Sequence, residues 1–594
     1  MHGSSSTSIR YAFGPVLDGR GTVFRLWAPL VETVTLKLCE PERLIAMERH
    51  AEGWFEIRVE GVGAGTRYLF VLPDGTEVPD PASRFQPHGV LGPSVICAPE
   101  FGWTDGEWTG RRWEEAVIYE LHVGTFTAEG TFRAAIDRLD ALAALGVTAV
   151  EIMPLHAFPG DRGWGYDGVC LYAPHSAYGT PDDFKAFVDA AHARSLMVYL
   201  DVVYNHFGPE GNLMPRFMPL LSRRHEGEYG TPLNFDDDNS DPVRRFIIEN
   251  ALYWLETFHC DGLRLDAVHE IPDESETHLL AELSATVKER LGDGRQVHLI
   301  LENSHNEVGW LDKAQTEVPY DAQWDDDIHH SLHVAVSGEK GGFYEKITEP
   351  FDMLTKALSE GFAFQQDEAS GGKKPGEPSG HLPPTAFIAF VQNHDQIGNR
   401  PDGTRITHFL PPEQARAMAT LVFLSPTIPM LFMGEEWAAS TRFFYFSDLG
   451  ENLRDPVRRS REEFLATWNM DVQAPDPFAV STFERSRLDW SEMTQEPHAA
   501  WLDFYRGLIE TRRREIVPRL VGIGGHAGKA ERIGDTAIDA RWRLADGSGL
   551  RLLANLGPDP HERNGLDAGR RIWATGNVQA QILGPWSVAV SLDD

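Results

Sequence analysis

The sequence predicts an α/β protein, a (β/α)8 barrel with an N-terminal β-sandwich and a small C-terminal β-domain. Three observations predict it. From about residue 112 to 515, short apolar runs alternate with amphipathic stretches, the pattern of parallel strands joined by crossover helices. Eight such runs occur, and no Gly-rich phosphate loop follows the first, which favours a closed barrel over an open nucleotide-binding sheet. Four segments in fixed order are apolar runs ending in a carboxylate, and barrel enzymes keep their chemistry at the C-terminal ends of the strands.

The elements follow in order. Residues 1–110 form the expected sandwich, from short β runs at 23–27, 34–38, 54–59 and 68–71 divided by Gly, Pro and Asp turns. A loop at 80–87 leads out of it. The barrel is assigned to 111–515, with strands at 117–121, 149–153, 197–201, 262–266, 298–302, 320–324, 387–391 and 429–433. Helical periodicity marks 132–145, 181–194 and 501–514. Two insertions interrupt the barrel, at 207–241 after the third strand and at 335–384 before the seventh. The 365–384 part is polar and rich in Gly and Pro, and is expected to be a mobile loop. Residues 516–594 return to β runs at 537–542, 550–554 and 586–590 and are assigned to the C-terminal domain.

Composition bounds the function. A chain of 594 residues exceeds one core, so two to four domains are expected. The formal net charge of −35 repels phosphate backbones and anionic lipids, so neither nucleic acid nor membrane is an expected partner. A neutral substrate such as a sugar is not repelled, although solubility alone also accounts for the acidity. Cys39, Cys97, Cys170 and Cys260 lie far apart without metal-type spacing and read as free thiols in a reducing cytosol. No secretory signal and no run long enough to span a membrane is visible, so a cytoplasmic location is expected. No cofactor is expected, and the oligomeric state is left open.

The four segments are Asp201-Val-Val-Tyr-Asn-His206, Gly262-Leu-Arg-Leu-Asp-Ala-Val-His269, Leu299-Ile-Leu-Glu-Asn303 and Phe390-Val-Gln-Asn-His-Asp395. On a barrel, Asp266, Glu302 and Asp395 would converge on one pocket. Cleavage of a glycosidic bond needs such a set: a nucleophile, an acid/base and a third polar support. Arg264 precedes Asp266 by two residues, on the same face of its strand, and favours its ionised form.

In this order and spacing the segments resemble the conserved regions of the α-amylase superfamily of glycoside hydrolases. The resemblance implies Asp266 as nucleophile, Glu302 as proton donor and Asp395 as transition-state stabiliser. It implies a retaining mechanism, for which the two reacting carboxyls stand about 5–5.5 Å apart. It also implies that His206 and His394 hydrogen-bond the sugar in the −1 subsite, that Tyr166 stacks on that sugar, and that Asp201 orders the Arg264 region. Ordinary amylases carry Lys-His shortly after the nucleophile; this chain has His269-Glu270, so recognition beyond the cleaved bond should differ. Asn205 occupies a position that some amylases use for calcium, but no calcium-binding cluster is evident and no metal is expected.

Further stretches, among them 119–126, 163–169, 205–212, 324–330, 392–399 and 432–437, resemble the maltooligosyltrehalose trehalohydrolase family. That resemblance implies maltooligosyltrehalose and related α-glucans as substrates, hydrolysis of the α-1,4 bond next to the terminal trehalose unit, and a place in trehalose formation from glucan. By the same resemblance Arg264, His269, Asp327, His329, His330, Gln396 and Arg400 are candidates for holding substrate. The alternatives are a branching or debranching enzyme of the same superfamily, and a non-catalytic sugar-binding protein, against which the presence of all three acids speaks.

Overall fold

Eight parallel strands hydrogen-bond in a closed ring in the computed structural model, which describes residues 11–292, 294–365, 376–468, 470–562, 569–579 and 581–593. They are β1 (Ile118–Leu121), β2 (Ala149–Ile152), β3 (Met197–Val202), β4 (Gly262–Leu265), β5 (His298–Leu301), β6 (Ala322–Trp324), β7 (Phe387–Phe390) and β8 (Ile428–Phe432), with β8 pairing back onto β1. The expected eight runs are these strands. Residues 366–375, the middle of the stretch read as a mobile loop, lie outside the described residues.

Side chains alternate in direction along a strand, and this places the chemistry. Ile118, Ala149, Met197, Ile300, Ala322, Ile388 and Ile428 fill the barrel interior together with Tyr199, Trp324, Phe390 and Met430. Trp113 belongs to the same cluster, and its indole N–H donates to Thr385 O just ahead of β7 (2.7 Å). Fully burying each such side chain is worth about 1.5–3 kcal/mol. One alternation further along, the inward direction reaches Glu120, Glu151, Asp201, Arg264 and Glu302. The apolar layer thus supports a charged layer at the strands' C-terminal ends. Gly262 in β4 is required by packing: a Cβ there would lie 2.8 Å from the Tyr199 ring and 2.3 Å from His298 O.

The surrounding helices show where periodicity alone misleads. The single helix expected at 132–145 is two, Phe132–Ile136 and Leu139–Leu145. Pro181–His192 starts where expected, with Thr180 and Asp183 forming a reciprocal cap and Pro181 in the first turn.

Before the barrel, two antiparallel sheets lie between residues 16 and 95, with Phe24, Leu26, Leu36, Leu38, Phe55 and Phe70 in the buried core. The loop that leaves them is docked by Arg84. Its guanidinium sits 4.2 Å from the Tyr253 ring and 4.6 Å from Tyr172, and it donates to Phe13 O (3.0 Å). After the barrel, a five-stranded antiparallel sheet runs through Gly528–Ile533, Ala537–Arg543, Gly549–Asn555, Ser587–Asp593 and Arg570–Thr575. Trp542 ties it to the barrel's outer layer by donating to Leu358 O (3.0 Å). The four cysteines are free thiols. Among the described residues no helix is long and apolar enough to cross a membrane.

Candidate active site

A cleft of about 580 Å³ opens over the C-terminal ends of the strands. Asp266, Glu302 and Asp395 line it, with Tyr166, His206, His269, His330, His394 and Gln396 from the sequence-derived set. Each is placed by local structure. Asp266 follows β4, and Ala267 directly after it takes a left-handed conformation (φ 40°), which turns its N–H onto Glu302 Oε2 at 2.7 Å. Glu302 follows β5, and its carbonyl accepts from Val268 N (3.0 Å). His394 and Asp395 open the short helix His394–Gly398. Asn393 caps it by accepting from Asp395 N (2.8 Å), and Gln396 Oε1 accepts from Asn393 N (3.1 Å). Tyr166 depends on Gly165, whose φ of 104° and close approach to Pro154 O exclude any Cβ.

Arg264 lies beneath the cleft, almost wholly buried. Its Nη1 donates to Asp266 Oδ1 (2.7 Å) and to both oxygens of Asp201 (3.0 Å each), and Nη2 stands 3.9 Å from Glu302 Oε2. Its guanidinium covers the Trp324 ring at 4.1 Å. Arg264 therefore acts on the substrate through Asp266 rather than by contact. Asn205 donates from Nδ2 to Asp266 Oδ2 (2.9 Å) and to Asp266 O (2.8 Å). Its Oδ1 faces His206 Nδ1. Among the described residues one group, His225, Asp236 and Glu274, has metal-like spacing, but Arg224 pairs with both of its carboxylates and already supplies the positive charge.

The two reacting acids are pulled in opposite directions. Burial alone would raise the Asp266 carboxyl; the charge of Arg264, with His206 and the Asn205 bond, more than offsets it and holds Asp266 below its ordinary value. Burial raises Glu302, the charges of Asp266 and Asp395 add to it, and His269 and Arg264 only partly oppose them. The environment thus pushes the two acids apart, Asp266 toward the ionised form and Glu302 toward the protonated form, the direction that acid-assisted displacement needs.

Three further sequence-derived candidates, besides Arg264, do not reach the cleft. Asp327 Oδ2 accepts from Ala363 N (2.8 Å), Phe364 N (2.9 Å) and Asn306 Nδ2 (3.0 Å) and anchors the wall behind it. His329 is spent on Val391 O (2.8 Å) and Tyr344 Oη (3.1 Å). Arg400 forms a two-pronged pair with Glu339 and donates from Nε to Thr404 (2.8 Å). The reason is helix phase. Asp326–Ser337 is a helix capped by Asp325, and positions four apart share its cleft face, so Asp326 and His330 point in while Asp327 points away. Burial, with the neighbouring carboxyls of Glu302, Asp395 and Asp327, pushes the Asp326 carboxyl well up, and its Oδ1 accepts from Gln396 Nε2 (3.4 Å). The i, i+4 spacing of Asp326 and His330 was the available signal.

Other lining residues come from insertions whose placement no local pattern predicts. Tyr229, in the first insertion, is half exposed and stacks over His206 at 5.4 Å. Phe343 and Lys346 come from the second, and Tyr445 and Phe446 from the segment after β8. Aromatic faces at the rim suit the apolar faces of pyranose rings.

Comparison with known proteins agrees with this geometry. Family models match for carbohydrate-binding module 48 (isoamylase N-terminal domain) over residues 12–81, the alpha amylase catalytic domain over 96–217 and a domain of unknown function, DUF3459, over 525–590. A malto-oligosyltrehalose trehalohydrolase of Saccharolobus solfataricus is 42% identical over 504 residues, covering 84% of this chain and 87% of the relative. The chain belongs to the malto-oligosyltrehalose trehalohydrolase family. Family membership extends to the whole fold: the 1.4 Å crystal structure of an alpha amylase candidate from Salmonella typhimurium superposes with a TM-score of 0.94 at 42% identity, covering 98% of this chain and all of the other. A 1,4-alpha-glucan branching enzyme of Leifsonia xyli matches less of the trehalohydrolase-family chain, 37% identity over 42% of it. The amylase-domain match stops at 217, before all three acids, so their assignment rests on the geometry above.

Proposed function

We propose that this chain hydrolyses the α-1,4-glucosidic bond beside the terminal trehalose unit of maltooligosyltrehalose, releasing trehalose and a maltooligosaccharide. The observation that carries the reading is the convergence of Asp266 and Glu302 on one guanidinium, with Arg264 Nη1 2.7 Å from Asp266 Oδ1 and Nη2 3.9 Å from Glu302 Oε2, in a chain of this family. Asp266 attacks the anomeric carbon of the glucan as Glu302 gives its proton to the departing trehalose oxygen. The product of this step is a glucan–Asp266 ester. Glu302, now a carboxylate, takes a proton from water, and the hydroxide attacks the same carbon, freeing the maltooligosaccharide and restoring Asp266. Asp395, with Asn399 donating to its Oδ1 (3.0 Å), holds sugar hydroxyls and faces the oxocarbenium-like charge of both transition states. Tyr166, His206 and His394 frame the reacting sugar, and Asp201 holds Arg264. His269, Asp326 and His330 are the groups placed to recognise the trehalose side.

The same reading divides the chain at about residues 110 and 515 and sets the enzyme in the cytosol, where four free thiols persist. The test is incubation with maltooligosyltrehalose followed by chromatography. Free trehalose with a maltooligosaccharide is the expected product pair. Transfer of chain segments to new branch points would replace this reading with a branching activity.

A further inference from the structure

His394 is gripped from both sides. Glu120, buried at the inward end of β1, accepts from the His394 backbone N–H through Oε2 (3.1 Å), while its Oε1 meets the ring Nδ1 in a short contact. On the other side Nε2 lies 2.9 Å from Tyr166 Oη and 3.5 Å from Asp395 Oδ1. The donors can be assigned. Burial pushes Asp201 up to about 7, with Arg264 opposing it; both of its oxygens accept from Arg264 Nη1, and Oδ2 takes the single hydroxyl proton of Tyr166 (2.8 Å). Tyr166 Oη then offers His394 only a lone pair, so Nε2 carries a hydrogen. Nδ1 faces a carboxylate and carries the other.

We propose that Glu120 is a positioning residue that holds His394 as an imidazolium, fixing a cation beside Asp395 at the end of a hydrogen-bonded chain that runs through Tyr166, Asp201 and Arg264 to Asp266. The proposal rests on the assignment of the site given above. The groups facing the ring are Glu120 and His122 from β1 and its end, Glu151 from β2, Tyr166 from the following loop, Asp201 from β3, Arg264 from β4 and Asp395 from its own helix. His122 shows what burial does without a carboxylate partner: its ring falls to about 4. Burial acts on His394 in the same direction, but Asp395 and Glu120 outweigh it, with Arg264 opposing them, and the ring rises to about 9. An imidazolium here compensates the charge of Glu120 and places its other N–H 3.5 Å from Asp395 Oδ1.

Glu120→Gln keeps size and shape but offers a single acceptor oxygen, and its amide N–H₂ faces either the backbone N–H or the ring. The full chain, labelled with ¹⁵N in its histidine rings, is titrated by NMR, with the His394 signals assigned from their loss in His394→Gln. In parallel, kcat/KM on maltotriosyl fluoride is followed against pH, because that leaving group needs no proton from Glu302. In the parent, both His394 nitrogens should stay protonated through pH 8. In E120Q the ring should lose a proton at least about one pH unit lower, the scale of removing an adjacent opposite charge. The alkaline fall in kcat/KM should move with it. Glu120→Asp, which keeps the charge, should keep the imidazolium even where the rate drops. A neutral His394 ring in the parent at pH 7 overturns the proposal without any variant, and so does an identical titration in E120Q. A wrong assignment of the site would show itself separately, as turnover of the fluoride by Asp266→Ala.

Discussion

Asn205→Ala should slow the enzyme by a predictable amount and change its response to acid. The Asn205 amide donates to Asp266 Oδ2 at 2.9 Å and to Asp266 O at 2.8 Å, and so fixes both the charge and the direction of the nucleophile. A hydrogen bond to an ionised group contributes about 1.5–3 kcal/mol. Its loss should lower kcat/KM by roughly 10- to 150-fold at neutral pH, at about 1.4 kcal/mol per tenfold. The loss stops short of complete because Arg264 Nη1 stays 2.7 Å from Oδ1. The sign of the pH effect follows. The Asn205 bond favours the carboxylate and helps hold Asp266 below its ordinary value, so its removal lets that value rise. Activity depends on the ionised form. The acid limb of the kcat/KM profile should therefore move to higher pH, and the deficit should be larger near pH 5 than at pH 7. The assay is initial rate of trehalose release against pH for parent and variant. A change below threefold with an unmoved acid limb would refute the argument that Asn205 tunes Asp266.

Further predictions come from the same geometry. Asp266→Ala should abolish turnover with an unchanged circular-dichroism spectrum; activity within tenfold of the parent would remove it as nucleophile. Glu302→Gln should cost about 10²–10⁴-fold on the natural substrate but far less on the first step with a glycosyl fluoride, where glycosyl-enzyme should accumulate to a level visible by mass spectrometry. Because Glu302 sits above its ordinary value, it stays protonated to higher pH than a free carboxyl and is lost as acid when pH passes that raised value. The part of the alkaline limb that follows Glu302 should therefore be lost in this variant on the natural substrate, leaving the fall that follows His394. Asp327→Ala strips two buried backbone N–H groups of their acceptor, at about 1–3 kcal/mol each, and should lower Tm with KM little changed; His330→Ala should do the reverse.

The barrel was legible because its strands are buried on both faces. Each is a mostly apolar run, broken only by an inward Glu120, Glu151, Arg264 or Gln323, and a charged residue at its end stands out against it. Asp266, Glu302 and Asp395 were visible for that reason, and their convergence follows from closure of the ring. Two kinds of feature were not legible. One is helix phase: 325–327 is a run of three aspartates, and only the cap at Asp325 decides that Asp326 faces the cleft and Asp327 the wall. The other is long-range contribution. Tyr229 and Phe343 sit in insertions and Tyr445 in the segment after β8, all without periodicity, and Glu120 reads as one more residue of an apolar strand until His394, 274 positions away, is found against it. The break near Arg138 in the expected 132–145 helix is of the same kind, because nothing apolar or polar in the local pattern marks it.

The central claim is that the cleft selects the trehalose end of its substrate. Its most direct test is the ratio of kcat/KM for maltooligosyltrehalose to that for a maltooligosaccharide of equal length. The glucan on the donor side is the same in both, so any ratio above one arises where the trehalose unit sits. A site whose buried polar groups match one arrangement of hydroxyls can discriminate by several orders of magnitude, because the wrong sugar leaves those groups unpaired. The account predicts a ratio well above ~10², falling when His269, Asp326 or His330 is truncated. Equal values for the two substrates would contradict it and leave a plain α-glucan hydrolase.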